Sequence, residues 1–183
     1  MTNLLYVCHS NFARGPVAER VTREKVNNRL AVHSAGLETS ETRFSDELRT
    51  ILENSGFNPD KHLKRVTSDL LSEQDIVLCM EKSQVEAVRH MGGKKVFTLP
   101  EFAGVAGDIP DPVKLIGAVP DFPLLCTLQY EARRVYYRLL GRVDYRDGLA
   151  VESVYRSLNH LIEKCVDLSI KRLEKEGAIK PSE

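Results

Sequence analysis

The sequence predicts an α/β fold, a mainly parallel sheet covered on both faces by helices, and two observations carry that expectation. Short apolar runs of strand length alternate along the chain with amphipathic segments of helical period. The runs are apolar on both faces, as strands buried between helical layers are. A chain of 183 residues supplies one domain with a sizeable core and is too short for two ordinary ones.

The first run, Leu4 to Val7, is short and ends at loop residues, which suits a strand buried on both sides. From Pro16 onward Val17, Ala18, Val21 and Val26 recur at helical spacing among charged residues, with the proline at the first helical position. "LAVHSAG" is a second strand that stops at Gly36, and Phe44, Leu48, Ile51 and Leu52 then share a helical face that ends at Gly56. "DIVLCM" is a third buried strand, "KSQVEAVRHM" a helix with Val85, Val88 and Met91 in register, and "KKVFTL" a fourth strand. After Leu99 the glycine- and proline-rich stretch "PEFAGVAGDIPDPVKLIGAVPDFP" predicts a long loop. In the segment beyond it Leu125, Leu128, Ala132, Val135 and Leu139 share a face, while Arg134, Arg138 and Arg142 form a basic stripe. Finally Val151, Val154, Leu158, Leu161, Ile162, Cys165, Leu168 and Leu173 mark a long amphipathic helix that covers the sheet. Ligand sites in such a fold lie at the carboxyl ends of the strands, and Cys8 is at one of them.

Charge narrows the possible partners. The 26 basic side chains balance 26 acidic ones, so no global field favours nucleic acid or anionic lipid, and recognition must be local. The start "MTNLLYV" has no basic n-region, and no stretch approaches the roughly 18 apolar residues of a membrane span. The expectation is a cytoplasmic protein with neither a nucleic acid nor a membrane as partner. Cys8, Cys79, Cys126 and Cys165 are scattered and never form a CxxC pair, which argues against a zinc site or a disulfide framework.

Between the end of the first strand at Cys8 and the start of the helix at Pro16 the chain must turn tightly. Backbone N–H groups in such a turn can point into one concavity that the positive end of the helix dipole also faces, which makes an anion site. A thiol beneath those donors and a guanidinium is favoured as the thiolate. Arg14 offers a planar, two-pronged donor to phosphoryl oxygens, and Asn11 tolerates the left-handed backbone that a tight turn requires. None of the other cysteines has an arginine at that offset, although a buried structural cysteine remains the alternative. "DIPDP" places Asp111 before a proline after the fourth strand, either as a general acid near the sheet's carboxyl edge or as an ordinary Asp-Pro turn.

With these residues in view, the sequence resembles the low-molecular-weight protein tyrosine phosphatases, whose loop near the N-terminus has the form V-C-x-G-N-x-C-R-S-P-x-A-E. Here the loop reads "VCHSNFARGPVAE". The similarity continues through "HSAGLE", "DKHLKRVTSDL", "QDIVLCMEKSQ" and "DIPDP", over residues 3 to 113, and resumes in the last helix. It implies a three-layer α/β sandwich with a four-stranded parallel sheet of the phosphotyrosine protein phosphatase I-like type, with residues 1–183 as a single domain. It also implies that Cys8 is the nucleophile, Arg14 the phosphate-binding arginine and Asp111 the general acid. His9, Ser10, Asn11, Phe12, Ala13 and Gly15 complete the phosphate-binding loop, and Ser34 and His62 hold the Asn11 side chain. The implied reaction is a phosphoryl transfer through a phosphocysteine, with no metal and no cofactor, on a phosphorylated protein or a small phosphomonoester. The resemblance leaves the oligomeric state open.

The chain departs from that pattern at several positions. Ser10 adds a side chain where the family has glycine, and Ala13 removes the family's second loop cysteine and its protective disulfide. Gly15 replaces a hydroxyl residue that in the family donates to the thiolate, so Cys8 is expected to be less strongly activated. Val113 and Lys114 replace an aromatic pair, which removes a stacking wall for a phosphotyrosyl ring. A helical insertion at about 114–149 follows. It is either a lid whose Phe122, Tyr130, Tyr136 and Tyr137 supply a new wall, or a local core whose arginines face water. Three other readings compete. A non-catalytic phosphate-binding or interaction module would explain the changes at 10, 13 and 15, but not the joint retention of Cys8, Arg14 and Asp111. A protein-arginine phosphatase is opposed by the bulk of Phe12. An arsenate reductase needs a relay of thiols, whereas Cys79 lies inside a strand and Cys126 alone remains as a partner.

Overall fold

A computed structural model describes residues 1–38, 64–112 and 148–181, with the backbone alone at 148–154. Its elements in chain order are β1 (Thr2–Cys8), α1 (Arg14–Val26), β2 (Leu30–Gly36), α2 (Ser68–Ser72), β3 (Ile76–Cys79), α3 (Lys82–His90), β4 (Val96–Thr98), α4 (Leu99–Ala103) and α5 (Gly148–Lys175). The strands form one four-stranded sheet in the order β2-β1-β3-β4, and every pairing is parallel. β1 therefore has β2 on one side and β3 on the other. The chain leaves it in one direction and later crosses to the opposite side. Such a reversal opens a crevice at the carboxyl end of the strand where it occurs, and here that end is Cys8.

Both faces of the sheet are covered, which is why β1 is buried from Leu4 to Cys8. On one face Leu5, Val7, Val77 and Cys79 share a core with Leu70 and Leu71 of α2 and Val85 and Val88 of α3. On the other face the Tyr6 hydroxyl lies 2.8 Å from the Thr22 hydroxyl of α1. The later part of α5 is tied to α1 by Lys25–Asp167 at 2.6 Å and continues to Glu174, which pairs with Arg29 at 2.8 Å. Arg172 sits 4.3 Å from the centre of the Phe102 ring and donates to the Phe102 carbonyl. The chain divides into two compact units, Met1–Ile109 with Asn159–Glu183, and Pro110–Leu158. The sheet and the Cys8 loop belong to the first.

Three local expectations are corrected. Helix α1 begins at Arg14, two residues before Pro16, and its first intrahelical bond runs from Val17 N–H to the Ala13 carbonyl at 3.0 Å. Pro16 is tolerated because the N–H groups of a first turn have no intrahelical acceptor, so a missing one costs nothing there. The long loop expected after Leu99 opens instead with α4. The Thr98 hydroxyl accepts from Glu101 N–H at 3.1 Å, the Glu101 carboxylate accepts from Thr98 N–H at 3.3 Å, and Pro100 lies in the first turn. In α5 the buried set is Tyr155, Leu158, Ile162, Cys165, Val166, Ser169, Ile170 and Leu173, while Leu161 and Leu168 fall one step off that stripe and are half-buried. The helix expected around Phe44 to Leu52, His62, Val113, Lys114 and the insertion lie outside the described residues, except that Gly148 and Leu149 open α5.

Candidate active site

The loop after Cys8 is shaped first by β2. Gly36, the last residue of that strand, is the register partner of Cys8, and the pairing runs on beyond it. Leu37 N–H donates to the Cys8 carbonyl at 3.1 Å and Glu38 N–H to the His9 carbonyl at 2.8 Å. A trans peptide carries its N–H opposite its carbonyl, so the N–H groups of His9 and Ser10 turn away from β2. The chain then reverses at Asn11, whose φ of 53° is left-handed, the conformation expected of that residue. Gly36 permits this return. A Cβ there would stand 2.7 Å from the Ser10 carbonyl carbon, 2.8 Å from Asn11 N and 3.0 Å from the His9 carbonyl oxygen.

Cys8 is 2% exposed at the floor of this loop, and Arg14 is 4% exposed at its far end, in the first turn of α1. Burying a guanidinium is costly unless it is paired, and the pairing here is close. Arg14 Nη1 donates to Glu81 Oε1 at 2.6 Å and to the Ile109 carbonyl at 2.8 Å. Glu81 follows β3 directly and is the N-cap residue of α3, where the Gln84 carboxamide oxygen accepts from the N–H groups of Met80 and Glu81. Ile109 is held in turn by its N–H, which donates to the Met80 carbonyl at 2.9 Å. The carboxyl edges of β1 and β3 and the segment leading to "DIPDP" thus meet around one cation. Sequence reasoning passed over Glu81, Gly36 and Ile109. Of these, the acid directly behind a strand's carboxyl end and the glycine closing "HSAG" were visible signals.

The other expected residues are placed as follows. His9 is exposed and lies 3.5 Å from the equally exposed Glu38 carboxylate; Ser10 and Ala13 are half-buried; Asn11, Phe12 and Gly15 are buried. Ser34 is buried beside the loop, and its hydroxyl donates to Glu19 Oε2 at 2.5 Å, while Arg23 pairs with the other oxygen of Glu19 at 2.7 Å. Asp111 is half-buried and belongs to the second unit, two residues past Ile109. His62 is not among the described residues. Burial pushes the Cys79 thiol up to about 12, with a charge on Cys8 acting in the same sense, and burial also raises Cys165. Neither is a nucleophile at neutral pH. No cluster of three or more His, Cys, Asp or Glu side chains suited to a metal ion occurs among the described residues.

Comparison with known proteins gives the same picture. The family model for low molecular weight phosphotyrosine protein phosphatase matches residues 3–132. The chain is 30% identical over 115 residues to the low molecular weight protein-tyrosine-phosphatase Ptp of Acinetobacter johnsonii, a match that spans 60% of this chain and 79% of that protein. It is 31% identical over 94 residues to the low molecular weight phosphotyrosine protein phosphatase of Gallus gallus, over 48% of this chain and 60% of that one. Among solved structures, the YwlE arginine phosphatase of Geobacillus stearothermophilus superimposes with a TM-score of 0.65 at 20% identity, over 100% of this chain and 99% of that one. A low molecular weight phosphotyrosine phosphatase of Vibrio cholerae gives 0.65 at 19% identity, over 97% and 99%. These two likenesses concern the fold, whereas the family match rests on the sequence across most of the chain: the protein belongs to the low molecular weight phosphotyrosine protein phosphatase family.

Proposed function

We propose that Cys8 is the nucleophile of this phosphatase, that Arg14 and the loop amides bind the phosphoryl group, and that Asp111 is the general acid. Membership of the family makes the chain a cysteine-dependent phosphomonoester hydrolase working through a phosphocysteine. The residue assignment rests on one observation, a buried thiol at the strand-order reversal with a buried guanidinium at the other end of the same loop, fixed by Glu81 and the Ile109 carbonyl. In the first step the Cys8 thiolate attacks phosphorus as the bond to the leaving oxygen breaks, and Asp111 gives that oxygen a proton. In the second, water attacks the phosphocysteine, the S–P bond breaks, and Asp111 takes the proton back. Arg14 and the backbone donors meet the charge on the equatorial oxygens throughout. The substrate is a phosphorylated protein or a small phosphomonoester. Reduced thiols at Cys8, Cys79 and Cys165 support a cytoplasmic setting, and no helix among the described residues is long and apolar enough to cross a membrane.

Hydrolysis of p-nitrophenyl phosphate by the parent and by Cys8→Ser, with and without EDTA, tests the nucleophile. Loss of turnover in the variant and indifference to EDTA are expected; a Cys8→Ser protein as fast as the parent overturns the assignment. Asp111→Asn should slow esters with poor leaving groups more than p-nitrophenyl phosphate, whose leaving group needs no proton. Equal losses on both would assign Asp111 a merely structural part.

A further inference from the structure

Gly15 is the second residue of α1, buried, and has no left-handed φ, so its backbone does not require glycine. Space does. A Cβ at residue 15 would stand 2.8 Å from Asn11 Oδ1, 3.3 Å from Cys8 Sγ and 3.4 Å from Ser34 Cβ. The last two are tight but ordinary, whereas 2.8 Å is well inside the roughly 3.3 Å at which carbon and oxygen come into close contact. Asn11 has little freedom to yield, since its backbone is left-handed and its side chain is 1% exposed. The Ser34 hydroxyl has one proton, and Glu19 takes it, so Ser34 offers other neighbours only a lone pair. A lone pair suits the nitrogen end of a carboxamide, in keeping with the oxygen end being the one at Gly15.

We propose that Gly15 is a positioning residue: by carrying no side chain it lets the Asn11 carboxamide occupy the place beside the Cys8 thiol. That carboxamide, and no side chain at residue 15, then orders the loop around the nucleophile. The inference rests on the assignment of Cys8 made above.

Helix propensity gives the test a sign. Alanine is a better helix former than glycine, so Gly15→Ala should stabilise the protein unless something opposes it. With Asn11 present, we expect the urea midpoint to fall, kcat/KM for p-nitrophenyl phosphate to drop about tenfold or more, and the alkylation pKa of Cys8 towards iodoacetate to move. Asn11→Gly keeps the left-handed backbone and removes the carboxamide. In that background Gly15→Ala should raise the midpoint and change alkylation by less than about twofold, a strongly non-additive cycle. Equal effects of Gly15→Ala in the two backgrounds overturn the proposal. Should Asn11→Gly fail to fold, Gly15→Ala alone decides, and a parental or higher midpoint with parental alkylation overturns it. Alkylation and unfolding do not depend on turnover. An active Cys8→Ser protein would therefore overturn the nucleophile assignment without being mistaken for failure of the Gly15–Asn11 coupling.

Discussion

Gly36 faces Cys8 across the β1–β2 ladder, and what it lacks matters as much as what Cys8 carries. The three atoms that a Cβ would meet there are all backbone of His9, Ser10 and Asn11, so no side chain can swing aside to make room. Overpacking of that kind costs about 1–3 kcal/mol, and relief comes from whichever segment is easier to displace. β2 is paired along its length to β1, whereas the loop is a turn, so the loop should give way. Gly36→Ala is expected to lower stability by about 1–3 kcal/mol and to reduce hydrolysis of p-nitrophenyl phosphate by more than that loss of folded protein accounts for. Urea unfolding and steady-state kinetics on the same preparation check this, and parental kcat/KM would show that the loop accommodates the methyl group. The sequence disclosed that "HSAG" ends a strand at a glycine. It did not disclose why, because the reason is an approach by residues some 25 positions earlier in the chain.

Elements were most legible where the signal is local and periodic. The strands at Leu4, Leu30, Ile76 and Val96, the α3 helix and the stripe of α5 follow directly from apolar spacing. Helix α4 carried an equally local signal, Thr98-x-x-Glu101 with Pro100 between, but the glycines after it masked the cap. The tie between elements was not legible at all: Glu81 caps α3 and also holds the guanidinium at the start of α1, a pairing between residues far apart in sequence. Removing one partner of a buried ion pair typically costs about 3–5 kcal/mol. Glu81→Ala should therefore destabilise the protein by about that much, and it should raise the inhibition constant of inorganic phosphate about tenfold or more, since Arg14 is no longer aimed. Glu81→Gln, which keeps an acceptor oxygen, should fall between Glu81→Ala and the parent. Phosphate inhibition unchanged in Glu81→Ala would mean that the Ile109 carbonyl suffices to position Arg14.

At the scale of the molecule, the same two-sided burial that makes β1 a central strand also fixes how the fold responds to pH. Ionisable groups are enclosed on both faces of the sheet: Cys79 in the core shared with α2 and α3, and Tyr6 on the face covered by α1. Burial raises Tyr6 as well as Cys79, and Cys165 of α5, which adds to the shift of Tyr6, is raised too. All three are neutral when protonated, so the folded state holds their protons more tightly than the unfolded chain does. The resulting stability is fully present below the unfolded pKa values and is lost as pH rises through the folded ones. For Cys79 the window runs from the ordinary 9.0 to about 12. Within it the unfolded thiol ionises while the folded one does not, and stability should fall by about 1.4 kcal/mol per pH unit for this group alone. Urea midpoints at pH 7 and 8.5 should thus differ little on account of these groups, and the midpoint at pH 10 should be clearly lower. Cys79→Ala loses packing at every pH but should show a shallower decline above pH 9, because its unfolded chain has one thiol fewer to ionise. Parallel declines in the two proteins would mean that Cys79 gives up its proton in the folded core as readily as in the unfolded chain.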